Sequence, residues 1–512
     1  MVDTIDDGGA AATTDLAQRS AIADQGARRF FRRIEASAVG DGLRMNLSTR
    51  LAYGFGAAAY GAKLQLFGLL LLFYNQLMGV PAATVSFVLA VSVVVDAVWD
   101  PIVGQLSDNT RSRLGRRHPY LYAVAIPLAV AFALLWRPPA NSSQAELVAW
   151  LAVFAIASRL LVSVHEIPST ALLPELARGY NARTSLLGYR YFFGTVGAAI
   201  SIVLGFGIFL RSTPDQPFGQ LNRAGYAPFG ATIAIVMLIA ILISALGTHR
   251  YIPQLHSPPA RRRGILASLR AVRQTLSNRN FAAIAASGLL HGINLGTHAG
   301  LAVYFTTFFW KLPSEKLLWL ALAPLPANAI AAFLAPLAAK RWGKKHACVG
   351  LFLTAIAVGH LPLIAALLSL MPAPGTTAQF TILLVDRFVV AALATSGFIV
   401  VTSMFADIVE DAELRTGQRS EGLLIAADTF IQKVSAGMAI LVPGLLLTLI
   451  GFPQNASPGS LDPNVMMRLA YISLPFWFAI GLASTVMLLF YRLDRATHEA
   501  NLAKLAGERQ RA

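Results

Sequence analysis

Charged residues are scarce in this 512-residue sequence: only 13% of its side chains are charged, while 55% are hydrophobic. A soluble chain of this length would form several domains with charged surfaces, so the scarcity excludes an ordinary soluble protein. Cysteine is scarcer still, because Cys348 is the only one, which excludes an internal disulfide. Residues 1–49 lack an apolar core, and we expect them to form a polar tail rather than a signal peptide.

Apolar runs of about 20 residues, in contrast, recur along nearly the whole chain, and a helix of that length crosses ~30 Å of hydrocarbon. Lipid leaves no backbone group unsatisfied, and the alternating segments of about ten residues that form membrane barrels are missing, so the runs predict helices. The expected fold class is an all-α membrane protein. The predicted spans are 50–77, 83–106, 119–137, 147–173, 187–210, 226–247, 281–308, 317–339, 347–370, 378–404, 422–450 and 466–490.

The net charge of +16 is distributed in a way that indicates membrane topology rather than nucleic-acid binding. Most Lys and Arg residues lie in alternate loops, and by the positive-inside rule those loops and both chain ends face the cytoplasm. The stretch 248–280 is rich in Arg and free of acids, but lacks the interleaved aromatics of a nucleic-acid surface. The predicted segments are a cytoplasmic tail (1–49), a six-helix bundle (50–247), a basic cytoplasmic linker (248–280), a second six-helix bundle (281–493) and a cytoplasmic tail (494–512).

A short motif occurs twice at corresponding topological positions. The loop after the second span reads Arg113-Leu-Gly-Arg-Arg-His118, and the loop after the eighth reads Arg341-Trp-Gly-Lys-Lys-His346. The order basic, apolar, Gly, basic, basic, His is the same, and the glycine permits a tight reversal. The repetition predicts a duplicated six-helix half with a cavity between the two copies. This organisation indicates the major facilitator fold, with 12 transmembrane helices in two six-helix bundles.

Two carboxylates lie deep in the second span. Asp96 and Asp100 are four residues apart and share a helix face, so they repel each other unless a proton or cation lies between them. Lys433 lies at a similar depth in the eleventh span, in the other half. Competition between Lys433 and a monovalent cation for this pair would couple ion binding to the state of the cavity. A structural helix lock is the alternative interpretation.

Other ionisable side chains at membrane depth must face a partner, a cavity or water. Two polar stripes follow helix faces, namely Arg159, Ser163 and Glu166 on the fourth span and Asp428, Thr429 and Lys433 on the eleventh. Such stripes are typical of a cavity wall. The remaining charges are Lys63, Asp386 and Arg387. For Arg159, Asp386 and Arg387, a structural role in locking helices together explains the charge as well as a cavity-facing role does. The membrane histidines (His165, His291, His298, His360) have no ligand spacing, and we expect them to be satisfied helix contacts.

Five stretches together resemble one family. They are Asp96–Gly104, Ser107–Pro119, Ile167–Glu175, Arg183–Arg190 and Ala406–Gly422, followed by Thr429 and Lys433. In this combination, over all twelve predicted spans, the chain resembles the glycoside–pentoside–hexuronide:cation symporters of the major facilitator superfamily, typified by melibiose permease. The resemblance implies symport of a sugar or glycoside with Na⁺ or H⁺.

The resemblance also implies roles for individual residues. Asp96 and Asp100 correspond to the cation carboxylates, which are metal ligands only if the ion is sodium, and Ser163 to a hydroxyl beside the ion. The implied substrate-binding residues are Glu166, Arg190, Thr429 and Lys433. Tyr60 and Thr170 stand where melibiose permease has a sugar-binding Asp and Trp, and Trp99 where an Asn assists sodium. These departures leave the substrate and the ion open.

At the predicted cytoplasmic ends of the spans, basic residues of one half can face acidic residues of the other. We predict ion-pair networks that close the two halves when the cavity faces outward. The predicted gate residues are Arg116, Arg117, Asp407, Asp411 and Arg419.

The expected function is cation-coupled transport of a small organic solute by alternating access, without enzymatic activity and without a cofactor beyond the coupling ion. We expect a monomer in a bacterial inner membrane, because Arg far outnumbers Lys and Ala is abundant. Lysolipid carriers share the paired aspartates, so an amphipathic substrate is an alternative. Intramembrane prenyltransferases also use Asp-x-x-x-Asp pairs, but twelve spans are too many for them. A sensor or scaffold would not need titratable carboxylates at mid-membrane.

The charge bias generates a prediction about topology. Single cysteines at Ser257 and Ser212, in a Cys348→Ala background, should differ in intact cells, because only the second position lies in an external loop. Labelling with a membrane-impermeant thiol reagent should therefore modify the Ser212→Cys variant alone. The reverse labelling pattern would contradict the topology.

Overall fold

The computed structural model describes residues 45–177, 180–255, 278–416 and 421–493. Regular structure in that part of the chain is entirely helical. Numbered by span, the long helices are α1 (Leu47–Phe55 and Ala57–Phe67, continuing at Leu70–Leu77), α2 (Ala82–Asn109), α3 (His118–Leu135), α4 (Gln144–Leu176), α5 (Tyr180–Leu204), α6 (Arg223–His249), α7 (Arg279–Tyr304), α8 (Ser314–Leu322 and Pro324–Trp342), α9 (Lys344–Leu367), α10 (Thr377–Thr416), α11 (Glu421–Leu449) and α12 (Pro463–Leu489). Each predicted span overlaps one of them.

Length and hydropathy identify most of these helices as membrane-spanning. Ten of those within the described ranges qualify by themselves, and α1 is an eleventh when its two parts, bent by 41°, are taken as one span. Helix α7 falls outside this set, because His291, Asn294 and His298 lower its hydropathy. The count of twelve crossings therefore stays a prediction.

The glycine of the duplicated motif has a positive φ in both halves. Gly115, before α3, has φ of +72°, and Gly343, before α9, has φ of +74°. Only glycine adopts this left-handed region without steric cost, which explains its place in both copies. The sequence repeat therefore corresponds to a repeated local structure.

Helix packing follows the same duplication. In the first half α1 packs against α5 and α6, α2 against α4, and α3 against α4 and α6. In the second half α7 packs against α11 and α12, α8 against α10, and α9 against α10 and α12. Adding six to each helix number of the first half gives the second. Between the halves, α2 packs extensively on α11, whereas the equivalent pair α8 and α5 touches only lightly.

The apolar core shows at which end the halves meet. One cluster of buried residues runs continuously from the first half, for example Phe73 and Tyr226, into the second, for example Tyr304 and Phe452. These residues lie at the end of the bundle opposite to Met45 and Leu493. At the end that contains Met45 and Leu493, each half instead has its own separate cluster. The bundle is therefore closed at the end opposite to its described chain ends.

Hydrogen bonds between the halves reinforce this closed end. Gln220 donates to the Thr307 hydroxyl (3.0 Å) and to the carbonyl of Leu312 (3.1 Å), and accepts from Ser314 (2.6 Å). Gln76 donates to the carbonyl of Pro453 (3.0 Å). Under the predicted topology this end is external, so the structure corresponds to an inward-facing state.

A close approach of α1 and α5 generates a stability prediction. A Cβ added at Gly197 would lie 2.1 Å from the carbonyl oxygen of Ala58, whereas one added at Gly188, on the same helix, would meet nothing within 4 Å. We expect Gly197→Ala to destabilise the protein by about 1–3 kcal/mol through overpacking. Gly188→Ala is the matched control, and helix propensity favours it by at most about 1 kcal/mol. Thermal unfolding of the purified variants should separate them; equal midpoints would contradict the packing.

Candidate functional site

The site begins where α2 crosses α11, at the largest contact between the halves. The Lys433 ammonium donates to Asp96 Oδ2 (3.2 Å) and to an oxygen of Asp100, so one cation of the second half bridges both carboxylates of the first. Ser163 on α4 donates to the other oxygen of Asp96 (2.6 Å). The structure thus brings together the four residues that the sequence assigned to ion coupling.

Local sequence explains the carboxylate geometry. Spacing of four residues puts Asp96 and Asp100 on one face of α2, directed at α11. Pro101 follows at once inside the helix, and its missing N–H leaves the carbonyl of Ala97 without its helical donor. Asp100 Oδ1 is buried without a hydrogen-bond partner. Several oxygen atoms are therefore concentrated on one turn of α2.

A second polar cluster joins α4 to α5. Arg190 pairs with Glu166 and donates to the hydroxyls of Ser169 (2.7 Å) and Thr170 (3.0 Å). Its guanidinium also lies 5.5 Å from the centre of the Tyr53 ring. The arrangement holds a carboxylate, a guanidinium and hydroxyls together, which is the set of groups that binds sugar hydroxyls.

The remaining predicted substrate residues line the same region. Tyr60 on α1 is 37% exposed and lies in the electrostatic field of Glu166, Asp96 and Arg159. Thr429 is exposed on α11, one turn from Lys433. Tyr60 and Thr429 thus approach the Asp96 and Lys433 contact from different halves.

Some residues in this region escaped the sequence predictions. Tyr53 donates to the carbonyl of Ser169 (2.9 Å) and holds the Arg190 cluster in place. The expectation that the membrane histidines are satisfied is wrong for His165, which is buried with neither ring nitrogen bonded. His298 does form a helix contact, because its ring stacks on that of Trp477 with the ring centres 3.9 Å apart. Only a tertiary contact reveals these partners, since no spacing in the sequence signals them.

The predicted gate residues form ion pairs at the end that contains Met45 and Leu493. Arg116 pairs with Glu175 (2.6 Å), and Arg117 with Glu175 (3.3 Å) and Asp108. Lys344 pairs with Asp407 (2.7 Å). These described pairs join residues of the same half, and Glu175, Asp108 and Lys344 were not predicted.

Two of the predicted gate carboxylates are buried within the second half. Asp407 and Asp411 are both buried, and burial beside them raises the pKa of the Tyr491 hydroxyl. Arg419 lies outside the described residues. Closure of the gate across the two halves stays a prediction.

Side chains that could bind a metal ion do not cluster in the described ranges. They contain no group of three or more His, Cys, Asp and Glu side chains close enough to hold a metal ion. An ion at Asp96 and Asp100 would have two carboxylates and the Ser163 hydroxyl as donors, an all-oxygen set that suits a small hard cation.

Comparison with known proteins decides the family. A family model described as MFS/sugar transport protein matches residues 52–495. The chain belongs to this family. Within the major facilitator superfamily it belongs to the glycoside–pentoside–hexuronide symporter family, as the resemblance predicted.

Individual relatives match this chain over nearly its whole length. An uncharacterised symporter of Synechocystis is 27% identical, over 89% of this chain and 96% of the relative. The isoprimeverose transporter of Lactiplantibacillus pentosus is 28% identical, over 83% and 84%. The inward open xylose transporter XylE of E. coli, at 16% identity, superposes over 89% of this chain and 98% of its own with a TM-score of 0.56, which confirms the major facilitator fold.

The family assignment settles the class of protein. The protein is a multi-pass membrane protein and a secondary transporter of the sugar type, not an enzyme, so the prenyltransferase alternative is excluded. The named relatives carry small molecules, which implies a small-molecule substrate for this chain.

The gate geometry generates a prediction about Arg116. Its pair with Glu175 is largely buried and is worth more than the ~0–1 kcal/mol of an exposed pair, but Glu175 keeps its pair with Arg117 when Arg116 is replaced. We expect Arg116→Ala and Asp411→Asn to bias the conformational equilibrium without abolishing substrate binding. Cysteine accessibility on both sides of the membrane measures the bias, and Arg113→Ala, an exposed Arg in the same loop, is the control. Complete loss of binding by a folded variant would make these residues part of the site.

Proposed function

We propose that this transporter is a symporter, which couples the movement of a sugar or glycoside to Na⁺ or H⁺ by alternating access. The observation that carries the proposal is the Lys433 ammonium, which reaches from the second half to both carboxylates of the first. Asp96 is buried and Asp100 is half-buried, and two carboxylates this close together need a positive partner in low dielectric. Lys433 is that partner here, and a proton or sodium ion can take its place.

Displacement of the Lys433 ammonium by a bound cation would connect ion binding to conformation. While the ammonium bridges Asp96 and Asp100, it is an electrostatic tie between α2 and α11. A cation that neutralises the carboxylates removes this tie and frees Lys433 to face the cavity. Because the cation then stabilises the two conformations to different extents, its binding shifts their populations.

The substrate cavity has the groups that a sugar requires. The Glu166 carboxylate accepts hydrogen bonds from hydroxyls, while Arg190, Thr170 and Thr429 donate to them. Tyr60 offers an exposed aromatic surface beside this cluster. The isoprimeverose transporter among the relatives supports a saccharide over an amphipathic lipid.

The donor atoms allow either coupling ion. Asp100 Oδ1 has no hydrogen-bond partner, and Ser163 already points at Asp96, so sodium would find oxygen ligands. Trp99 has a buried indole nitrogen without a partner and supplies no oxygen. Proton coupling needs only the two carboxylates. We further propose a monomer in the bacterial inner membrane with both termini in the cytoplasm.

Asp100→Asn tests the coupling directly. The variant keeps size and shape but removes one charge, so we expect it to bind and exchange solute while no longer concentrating it. Concentrative uptake in vesicles under imposed sodium or proton gradients is the measurement, with solute counterflow beside it. Asp215→Asn, at an exposed loop position, is the matched control and should behave as the wild type.

Further outcomes identify the ion and test the pair. Uptake that saturates with sodium at fixed pH indicates sodium, and uptake that follows an imposed proton gradient without sodium indicates the proton. Lys433→Ala should impair both exchange and accumulation, because the carboxylates lose their partner. If Asp100→Asn still concentrates solute as the wild type does, Asp96 and Asp100 are a structural helix lock.

A further inference from the structure

Two cations at the centre of the first half form no hydrogen bond within the described residues. Lys63 on α1 is 6% exposed, and Arg159 on α4 is 9% exposed. The Lys63 ammonium lies 4.9 Å from the centre of the Tyr60 ring, and the Arg159 guanidinium 4.6 Å from that of Phe67. Of their nitrogen atoms only Arg159 Nε is fully enclosed without a partner, so the other nitrogens remain accessible to solvent.

The carboxylates near these two cations are already engaged by other donors. Asp96 accepts from Ser163 and Lys433, Asp100 from Lys433, and Glu166 from Arg190 and Thr170. Lys63 and Arg159 therefore feel these carboxylates only at a distance, and they also repel each other. Two buried like charges without a bonded counter-ion are costly in low dielectric.

A count of charges shows an excess of one cation in this cluster. Its cations are Lys63, Arg159, Arg190 and Lys433, and its carboxylates are Asp96, Asp100 and Glu166. Other carboxylates do not correct the excess. Asp428 is not among the carboxylates that act on Lys63 or Arg159, and Asp386 lies beside Arg387 in α10. A bound coupling ion would raise the excess further.

We propose that Lys63 and Arg159 form an anion subsite within the substrate cavity. The solute that fits is sugar-sized and carries one carboxylate or sulfonate group. Its hydroxyls meet Glu166 and Arg190, while its anionic group lies between the ammonium and the guanidinium, whose planar donors match such an oxyanion. This inference rests on the proposed function and specifies the substrate class of the same cavity.

The subsite has a consequence for energetics. A monoanionic solute that moves with one monovalent cation carries no net charge across the membrane. The membrane potential therefore exerts no force on the loaded carrier, whereas the movement of a neutral sugar with a cation would be driven by about 2.3 kcal/mol per 100 mV. Uptake should thus respond to ion gradients but not to an imposed potassium diffusion potential.

Binding to the purified full-length protein tests the subsite. The acidic probes are D-glucuronate and 6-deoxy-6-sulfo-D-glucose, and the neutral probes are D-glucose and methyl β-D-glucoside. Each is measured with and without sodium, at about one pH unit below and above neutral. At least one acidic probe should bind more tightly than both neutral ones, and the tighter acid identifies the anionic group. Lys63→Gln and Arg159→Gln should weaken acid binding by about tenfold or more, the loss of a charge-assisted contact, and leave neutral binding within about twofold.

The controls separate a subsite from a structural role. Lys63→Arg keeps the charge and should retain acid binding, and Lys340→Gln, at an exposed position on α8, should change nothing. The comparison of acidic with neutral probes on the wild type needs no variant, so it stands even if a substitution prevents folding. Equal or tighter binding of neutral sugars would overturn the inference, and so would variants that weaken both kinds of probe alike.

Failure of the inference can be told from failure of the proposed function. Ion-coupled accumulation of a neutral glycoside would retain the proposed symport and reject the anion subsite. If none of the four probes bound while the protein stayed folded, both the subsite and the sugar assignment would be contradicted. Uptake of an acidic probe that follows the diffusion potential would also reject the charge balance.

Discussion

The contact of Lys433 with Asp96 and Asp100 is the interaction on which the rest of the site depends. It joins α2 to α11 at the one extensive crossing between the halves that the described helices make. Asp96 is buried and Asp100 half-buried, and two such neighbouring carboxylates are destabilised unless they have a positive partner. The protein supplies its own from the opposite half. An external cation that replaced Lys433, as proposed above, would therefore change the contact between the halves.

The closed end complements this contact. One apolar core runs through both halves at the end opposite to Met45 and Leu493, while the other end has two separate cores. The ion site thus lies between a sealed region and a region where the halves are independent. Because packed cores have discrete arrangements, a change of charge at mid-depth can decide which end is closed.

Electrostatics also links the ion site to the substrate region. Asp96 bonds Ser163 on α4, and the same face of α4 carries Arg159 and Glu166. The charges of ion and solute are therefore felt by one set of side chains. Such proximity gives a physical basis for coupling, because neutralising one group changes the cost of every other charge in the same low-dielectric volume.

The sequence by itself determined the helical membrane fold, the duplication and most of the candidate site. Hydrophobic length specified the helices, the repeated Gly115 and Gly343 motif specified the two halves, and the four-residue spacing placed Asp96 and Asp100 on one face. These features are local, so they are readable along the chain. Only the tertiary structure decided that Glu175 holds Arg116, that His165 is left without a partner, and that Lys63 and Arg159 lack a bonded carboxylate. Partners such as these come from different helices, and their distances depend on how those helices pack, which no pattern within one helix contains.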